Sequence, residues 1–168
     1  MQQLIADLER VQAGRWLTNE PLARYTTWKI GGPADLLLLP DNHRQLAAAV
    51  EALHRHRIPW QVLGRGSNTL VSDKGVRGAV IKLGEGFDEV KFEGDTATAG
   101  ASYSFVKLSR MAGKESLTGL EFASGIPGTV GGAVYMNAGA HGSDVSRIFQ
   151  SAEVVWEDGT CATLGLSL

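Results

Sequence analysis

The chain has 168 residues, 43% of them hydrophobic and 20% charged, which is enough to bury a core as one domain or as two small lobes. Its 16 lysine and arginine residues and 18 aspartate and glutamate residues give a formal net charge of -2. This balance excludes the basic field expected of a protein that binds nucleic acids or anionic membranes, and it favours a small-molecule ligand.

The first predicted element is an amphipathic helix in residues 1–18, which we interpret as an N-terminal helix and lead-in. Leu4, Leu8 and Val11 share one helical face, and the charged residues between them exclude the apolar core of a signal peptide. The single cysteine, Cys161, cannot form an internal disulfide, and the four histidines show no zinc-binding spacing. We therefore expect a cytoplasmic protein without a metal site.

A strand, a helix and a second strand are predicted next. Residues 34–39 form an apolar run, Asn42 caps a helix that must end before Pro59, and Trp60 begins the following strand. These elements make a βαβ unit with parallel strands, and the loop after the second strand lies at a carboxyl end, where ligands collect in open α/β sheets. The first lobe is predicted to cover residues 19–83.

The second lobe is predicted to cover residues 84–168 and to be richer in strands. After the Gly64 loop, strand segments are predicted at residues 69–71 and 79–83, still in the first lobe, and at 90–94 in the second lobe, with a continuation at 95–99. Residues 104–112 have helical periodicity, and Asp158 with Gly159 forms the turn of a hairpin. Two lobes imply a crevice, which would suit an extended cofactor.

The loop Gly64-Arg65-Gly66-Ser67-Asn68 fits neither common phosphate motif. A Rossmann fingerprint requires a third glycine at position 69, which is threonine, and a P-loop requires a lysine that is absent here. Two interpretations remain open: a plain turn, or an anion-binding loop in which backbone N–H groups converge and Arg65 neutralises phosphate charge.

The second glycine-rich segment runs from Ser124 to Gly142. It lies within a longer stretch, Phe122 to Ser143, that contains no Asp, Glu, Lys or Arg. Its glycines, with Pro127 and Asn137, argue against a membrane span. Pro127 suits the first turn of a helix, whose first N–H groups, at residues 128–130, would then be free to meet an anion. Gly131 and Gly132 would allow close approach either of a ligand or of another backbone.

Three segments together resemble the UDP-N-acetylenolpyruvoylglucosamine reductase family, also called UDP-N-acetylmuramate dehydrogenase. They are NEPLARYTTWKIGGPAD, VLGRGSNTLVSDKGVRGAVIKL and LTGLEFASGIPGTVGGAVYMNAGAHG, which begin at Asn19, Val62 and Leu117. The resemblance implies the α+β fold class, in the form of a two-lobed FAD-binding domain of the PCMH, or vanillyl-alcohol-oxidase, type.

The resemblance also implies the cofactors and the residues that bind them. FAD would be reduced by NADPH and would pass a hydride to the enolpyruvyl group of a UDP-sugar, giving a peptidoglycan precursor. The implied FAD-binding residues are Tyr25, Thr26, Thr27, Gly64, Arg65, Gly66, Ser67, Asn68, Thr69, Gly125, Ile126, Gly128, Thr129, Gly131, Gly132, Asn137, Ala138 and Gly139.

The sequence departs from the family beyond the hairpin. The family's tyrosine–arginine pair, proton-donating serine and late glutamate have no counterpart, so we assign no catalytic residue. We expect the C-terminal substrate-binding domain to be absent and this chain alone to be inactive. The alternatives are a non-catalytic nucleotide- or flavin-binding module, or a fragment that folds poorly. His141 is a further proton-transfer candidate, although a lone histidine is more often structural.

Overall fold

The computed structural model describes residues 1–165, which form two compact units. The first unit contains Met1–Gly84 together with residues 151–165, and the second contains Glu85–Gln150. Both units mix helices with strands, as predicted. The prediction that the second lobe is richer in strands is wrong, because among the described residues the four-stranded sheet lies in the first unit and the second unit holds short two-stranded sheets. No helix in the described part of the chain is long and apolar enough to span a membrane.

The first unit is built on a four-stranded sheet. Its elements are α1 (Gln2–Arg10), β1 (Arg15–Pro21), a 3-10 turn (Leu22–Tyr25), β2 (Pro33–Leu39), α2 (His43–Arg55), β3 (Trp60–Val62) and β4 (Val76–Ile81). The strand order is β1-β2-β4-β3, with β1 antiparallel to β2 and with β2 and β3 each parallel to β4.

The sheet confirms the parallel βαβ unit and adds one feature that was not predicted. The two strands of that unit, β2 and β3, are not neighbours, because β4 lies between them. Residues 78–81 of β4 are all buried, which suits a central strand. The short strand predicted at residues 69–71 does not form, and those residues belong to the long connection from β3 to β4.

Helix α2 begins and ends at the residues that the sequence indicated. The Asn42 side chain accepts a hydrogen bond from the Gln45 N–H at 2.9 Å, and the helix ends at Arg55, before Pro59. Leu36 and Leu38 of β2 lie fully buried in the core cluster that also contains residues of α1 and α2.

The C-terminal hairpin consists of β9 (Ser151–Val155) and β10 (Cys161–Gly165), paired antiparallel around the predicted turn. Its position differs from the predicted second lobe, residues 84–168, because the hairpin packs on α2 of the first unit. A Cβ atom on Gly159 would lie 2.7 Å from Cβ of Glu51 and 3.0 Å from the carbonyl oxygen of Ala47. This close packing groups residues 151–165 with the first unit.

The second unit packs two helices against short strands and turns. Its elements are a 3-10 turn (Glu85–Phe87), β5 (Val90–Glu93), β6 (Thr96–Ala99), α3 (Phe105–Lys114), a 3-10 turn (Glu121–Gly125), α4 (Val130–Tyr135), β7 (Gly139–Ala140), β8 (Ser143–Asp144) and a 3-10 turn (Val145–Arg147). Phe105 and Phe122 meet edge to face in its core, with ring centroids 6.0 Å apart.

Candidate cofactor-binding site

The loop that begins at Gly64 lies where the sequence placed it, at the carboxyl end of the sheet in the first unit. Leu63 follows β3 and donates its N–H to the carbonyl oxygen of Ile81, the last residue of β4, at 2.8 Å. Lys82 donates its N–H to Leu38 of β2 at 2.9 Å. The carboxyl ends of the three parallel strands therefore lie at the edge of the sheet from which this loop leaves. This edge is the usual position of a ligand in an open α/β sheet.

The segment Tyr25 to Thr27 packs directly on this loop. The Thr27 N–H donates to the carbonyl oxygen of Gly66 at 3.2 Å, and the Thr27 hydroxyl donates to that of Arg65 at 3.3 Å. Thr26 is buried and donates its hydroxyl to Ile30 at 2.8 Å. The structure thus brings the predicted residues Tyr25 to Thr27 onto the predicted loop. The contact forms because carbonyl oxygens of the loop accept hydrogen bonds from Thr27.

Gly66 makes this contact possible. Its φ is +65°, and a Cβ atom would lie 2.7 Å from Cα of Thr26 and 2.8 Å from the carbonyl oxygen of Tyr25. Glycine is required at position 66 by the protein itself, for both its backbone conformation and its close contact. The Tyr25 hydroxyl donates to Glu20 at 3.1 Å, and burial, followed by that carboxylate, raises the pKa of Tyr25.

Two cations lie at the loop without a carboxylate partner. Within residues 1–165, neither Arg65 nor Lys82 forms an ion pair. The Lys82 ammonium is partly buried and donates to the carbonyl oxygen of Gly64 at 3.0 Å. Burial, and secondarily the positive charge of Arg65, lowers the pKa of Lys82. The charge on this side of the loop suits an anion.

Sequence reasoning missed Lys82. The available signal was a lone lysine at the end of the apolar run Ala79 to Leu83, at the same edge of the sheet as the loop.

In the second unit, α4 begins at Val130 rather than at Pro127. The prediction of free N–H groups at residues 128–130 is wrong for Val130, whose N–H donates to the carbonyl oxygen of Tyr103 at 2.9 Å. Thr129 is the N-cap residue and accepts from the Gly132 N–H at 3.2 Å. Residues of the turn before α3, Ala101 and Tyr103, supply acceptors that are distant in sequence from this segment.

The other backbone N–H groups at the start of α4 differ in whether they have a protein acceptor. The Gly131 N–H donates to Ala101 at 2.9 Å. By contrast, the N–H groups of Gly128 and Thr129 have no acceptor among the residues that the structure describes. These two donors, together with the space at Gly125, are what this unit offers to a ligand.

The glycines of this segment differ in what surrounds them. A Cβ atom on Gly131 would lie 2.9 Å from Cβ of Ala101, so close packing within the protein accounts for that glycine. A Cβ atom on Gly132 would be 3.3 Å from the Thr129 hydroxyl, and one on Gly125 would meet no atom within 4 Å. Nothing in the second unit requires glycine at position 125, and this leaves room for a ligand there.

Asn137, Ala138 and Gly139 have structural contacts in the second unit. The Asn137 side-chain oxygen accepts from the Ser146 N–H at 2.9 Å, and its φ is 44°. The Ala138 N–H donates to Ala133 at 2.8 Å, and Gly139 packs against Asp144. Ile126 is partly buried against the core of this unit.

His141 lies at the tip of the β7–β8 hairpin. His141 and Gly142 have φ values of 54° and 79°, which form a two-residue turn, and the His141 side chain is exposed. This backbone role agrees with the structural interpretation of His141.

Residues 1–165 contain no group of three or more metal-ligating side chains. An open cavity of about 380 Å³ beside β1, lined by Gly14 to Leu17 and Leu39, contains none of the predicted site residues.

Comparison with solved structures defines the class of the fold. The structure of UDP-N-acetylenolpyruvylglucosamine reductase from Thermus caldophilus matches with a TM-score of 0.75 and 35% identity, covering 90% of this chain and 52% of that one. Berberine bridge enzyme from Eschscholzia californica matches with a TM-score of 0.69 over 96% of this chain and 37% of that one. At 11% identity, the second match shows the fold alone. The predicted α+β, PCMH-type FAD-binding fold is confirmed.

Sequence comparison defines the family. Residues 33–165 match the family described as FAD binding domain, and the chain belongs to that family. It is 51% identical to UDP-N-acetylenolpyruvoylglucosamine reductase of Bacillus subtilis and 49% identical to that of Bacillus licheniformis, each over 160 residues. These matches cover 95% of this chain but 53% of each relative, so the chain spans about half the length of the curated relatives. The predicted resemblance is confirmed.

Proposed function

We propose that this chain is the FAD-binding portion of a cytoplasmic, NADPH-dependent reductase that converts UDP-N-acetylenolpyruvoylglucosamine to UDP-N-acetylmuramate. The observation that carries the proposal is the loop at Gly64 to Gly66, which is held by the Tyr25 to Thr27 segment. Two cations, Arg65 within the loop and Lys82 beside it, have no carboxylate partner among residues 1–165. A diphosphate supplies the negative charge that this arrangement lacks.

We propose FAD contacts in each unit, and each set lies within its own unit. Residues Gly64 to Thr69 hold the diphosphate, with Tyr25 to Thr27 bordering it. In the second unit the free donors at Gly128 and Thr129 and the open space at Gly125 face the cofactor. The other proposed contacts are Ile126, Gly131, Gly132, Asn137, Ala138 and Gly139.

Bound FAD would supply hydride transfer from NADPH to the substrate double bond, and the protein would bind and orient the reactants. The proposed partners are therefore small molecules: FAD, NADPH and the UDP-sugar. We assign no catalytic side chain in the described residues.

The proposal is tested by ligand binding to the purified 168-residue chain. We expect FAD to co-elute with the protein on gel filtration, to be released on denaturation, and to bind more tightly than riboflavin, which lacks phosphate. Retention of ATP or a UDP-sugar in preference to FAD would instead support the non-catalytic nucleotide-binding module.

A pair of variants tests the position of the site. Arg65→Met should weaken FAD binding about tenfold, the size of one lost charge-assisted contact. Arg44→Met removes an exposed arginine at the start of α2 and should leave the FAD dissociation constant unchanged. Equal effects of the two variants would move the cofactor away from the loop.

A further inference from the structure

Lys82 occupies a fixed position beside the loop. Its backbone N–H is held by Leu38 of β2, and it directly follows β4, the strand that pairs with β3. The loop at Gly64 follows β3 on the same edge of the sheet. The Lys82 side chain therefore projects from the central strand at the point where the loop begins.

The Lys82 ammonium makes one defined contact with the loop. It donates to the carbonyl oxygen of Gly64 at 3.0 Å, so this carbonyl is turned toward β4. An ammonium group has three donors, and a single carbonyl oxygen satisfies one of them. In the described residues no carboxylate lies within ion-pair distance of it.

The charged groups on the surrounding elements do not neutralise Lys82. On the β3 loop the nearby charge is Arg65, which has the same sign. After β2, the Asp41 carboxylate lies against Gly84, where a Cβ atom would be 1.8 Å from its oxygen. Asp35 of β2 pairs instead with Arg77 of β4 at 2.6 Å.

These contacts point to an anion as the missing partner. Removing an ammonium from water and placing it beside a like charge disfavours its protonated form, and an opposite charge within a few ångströms restores that form. A diphosphate bound at the loop would meet both cations. Its binding would then be coupled to the protonation of Lys82.

We propose that Lys82 supplies the second positive charge of the diphosphate site, beside Arg65, and positions the loop through the Gly64 carbonyl. This inference rests on the proposed FAD-binding function and adds a residue to it. The ligand class is a dinucleotide or nucleoside diphosphate.

The first test compares two variants of the full chain. Lys82→Met should raise the FAD dissociation constant about tenfold at neutral pH, as expected for one charge-assisted hydrogen bond. Lys91→Met makes the same chemical change at an exposed position of β5 and should have no effect. Thermal melting of each variant reports whether it is folded.

The second test uses a pH profile, which a purely structural role would not change. ADP serves as the probe, because it carries the diphosphate and does not titrate in the alkaline range. In the free protein the Lys82 pKa is lowered, so wild-type affinity should fall as the pH rises through that lowered value and should level off above the raised value of the complex. Lys82→Arg stays charged throughout and should not show this fall.

The outcomes separate the two proposals. If wild-type protein binds neither FAD nor ADP, the proposed function fails, and the role of Lys82 fails with it. If wild-type protein binds FAD but Lys82→Met binds it equally well, or if the wild-type and Lys82→Arg pH profiles coincide, only the role of Lys82 is overturned. Should Lys82→Met be unfolded, the Lys82→Arg profile decides alone.

Discussion

The two glycine-rich segments look alike in sequence but are held in different ways. In the first unit, Gly66 is buried under Thr26 and has a positive φ, so the loop is locked to a neighbouring segment. In the second unit, Gly125 is exposed, and a Cβ atom on it would meet nothing within 4 Å. Gly66 is therefore required by packing within the first unit, whereas no residue of the second unit occupies the space beside Gly125.

A glycine can be needed because the protein fills the space of a side chain or because a ligand does, and the sequence alone does not distinguish these two cases. Where the protein fills the space of the missing side chain, substitution should cost stability. Where the space is open, substitution should affect only a ligand that enters it. Gly131, which packs on Ala101, belongs with Gly66 in this respect, although it lies in the second segment.

The largest effect is expected at Gly66. Gly66→Ala should destabilise the protein by about 2 to 5 kcal/mol, because the left-handed conformation and the clash with Thr26 both oppose a methyl group. Urea denaturation measures this loss. Gly94→Ala is the matched control: its φ is +60° and its surroundings are open, so only the conformational cost applies. Similar losses in both variants would contradict the packing argument.

Gly125→Ala should show the opposite behaviour. Its free energy of unfolding should change by less than about 0.5 kcal/mol, as for other substitutions into open space. FAD affinity should fall about tenfold, the effect of one extra methyl group in a close contact. Gly113→Ala, in an open position of α3, should leave FAD affinity unchanged. Unaltered FAD binding by Gly125→Ala would place the cofactor elsewhere.

Thr129 tests whether the second segment is held by its own hydrogen bonds. Thr129→Val keeps the shape of the side chain but removes the N-cap of α4, and we expect a loss of about 1 kcal/mol in thermal or urea denaturation. Thr129→Ser retains the hydroxyl that accepts from Gly132 and should lose less. The reverse order would show that the buried methyl group matters more than the cap.

The smallest effect concerns Asp144, which follows the second segment. Hydrogen bonds from the Ser146 side chain and then its amide lower the pKa of Asp144 below its ordinary value of 3.8. The resulting stability is present above the unfolded pKa and is lost as the pH falls through the lowered folded pKa. The stability advantage of wild-type protein over Asp144→Asn should therefore narrow below about pH 4. Asp88→Asn, at an exposed position, controls for the loss of a charge.

Local sequence signals predicted much of the fold. Asn42 and Pro59 bounded α2, and the Asp158-Gly159 turn located the hairpin. The helical periodicity of residues 104–112 indicated α3, which begins at Phe105. These features depend on neighbouring residues, which the sequence displays directly.

The features that were missed depend on distant partners. The start of α4 is set by acceptors at Ala101 and Tyr103. The position of β4 between β2 and β3 places the strand whose residues 78–81 are all buried in the interior of the sheet. Within the site, the Tyr25 to Thr27 segment was indicated through the family resemblance rather than by spacing. Lys82 escaped notice because only the folded sheet brings it to Gly64.

The return of the chain to the first unit has a consequence for folding during synthesis. Residues 85–150 are continuous in sequence, so their contacts are complete once Gln150 has been made. The first unit cannot complete its folding until the hairpin that packs on α2 has left the ribosome. The contacts between this hairpin and α2 join residues far apart in the sequence, and such contacts form slowly. We therefore expect residues 85–150 to fold before the first unit, which is completed only when β9 and β10 pack on α2.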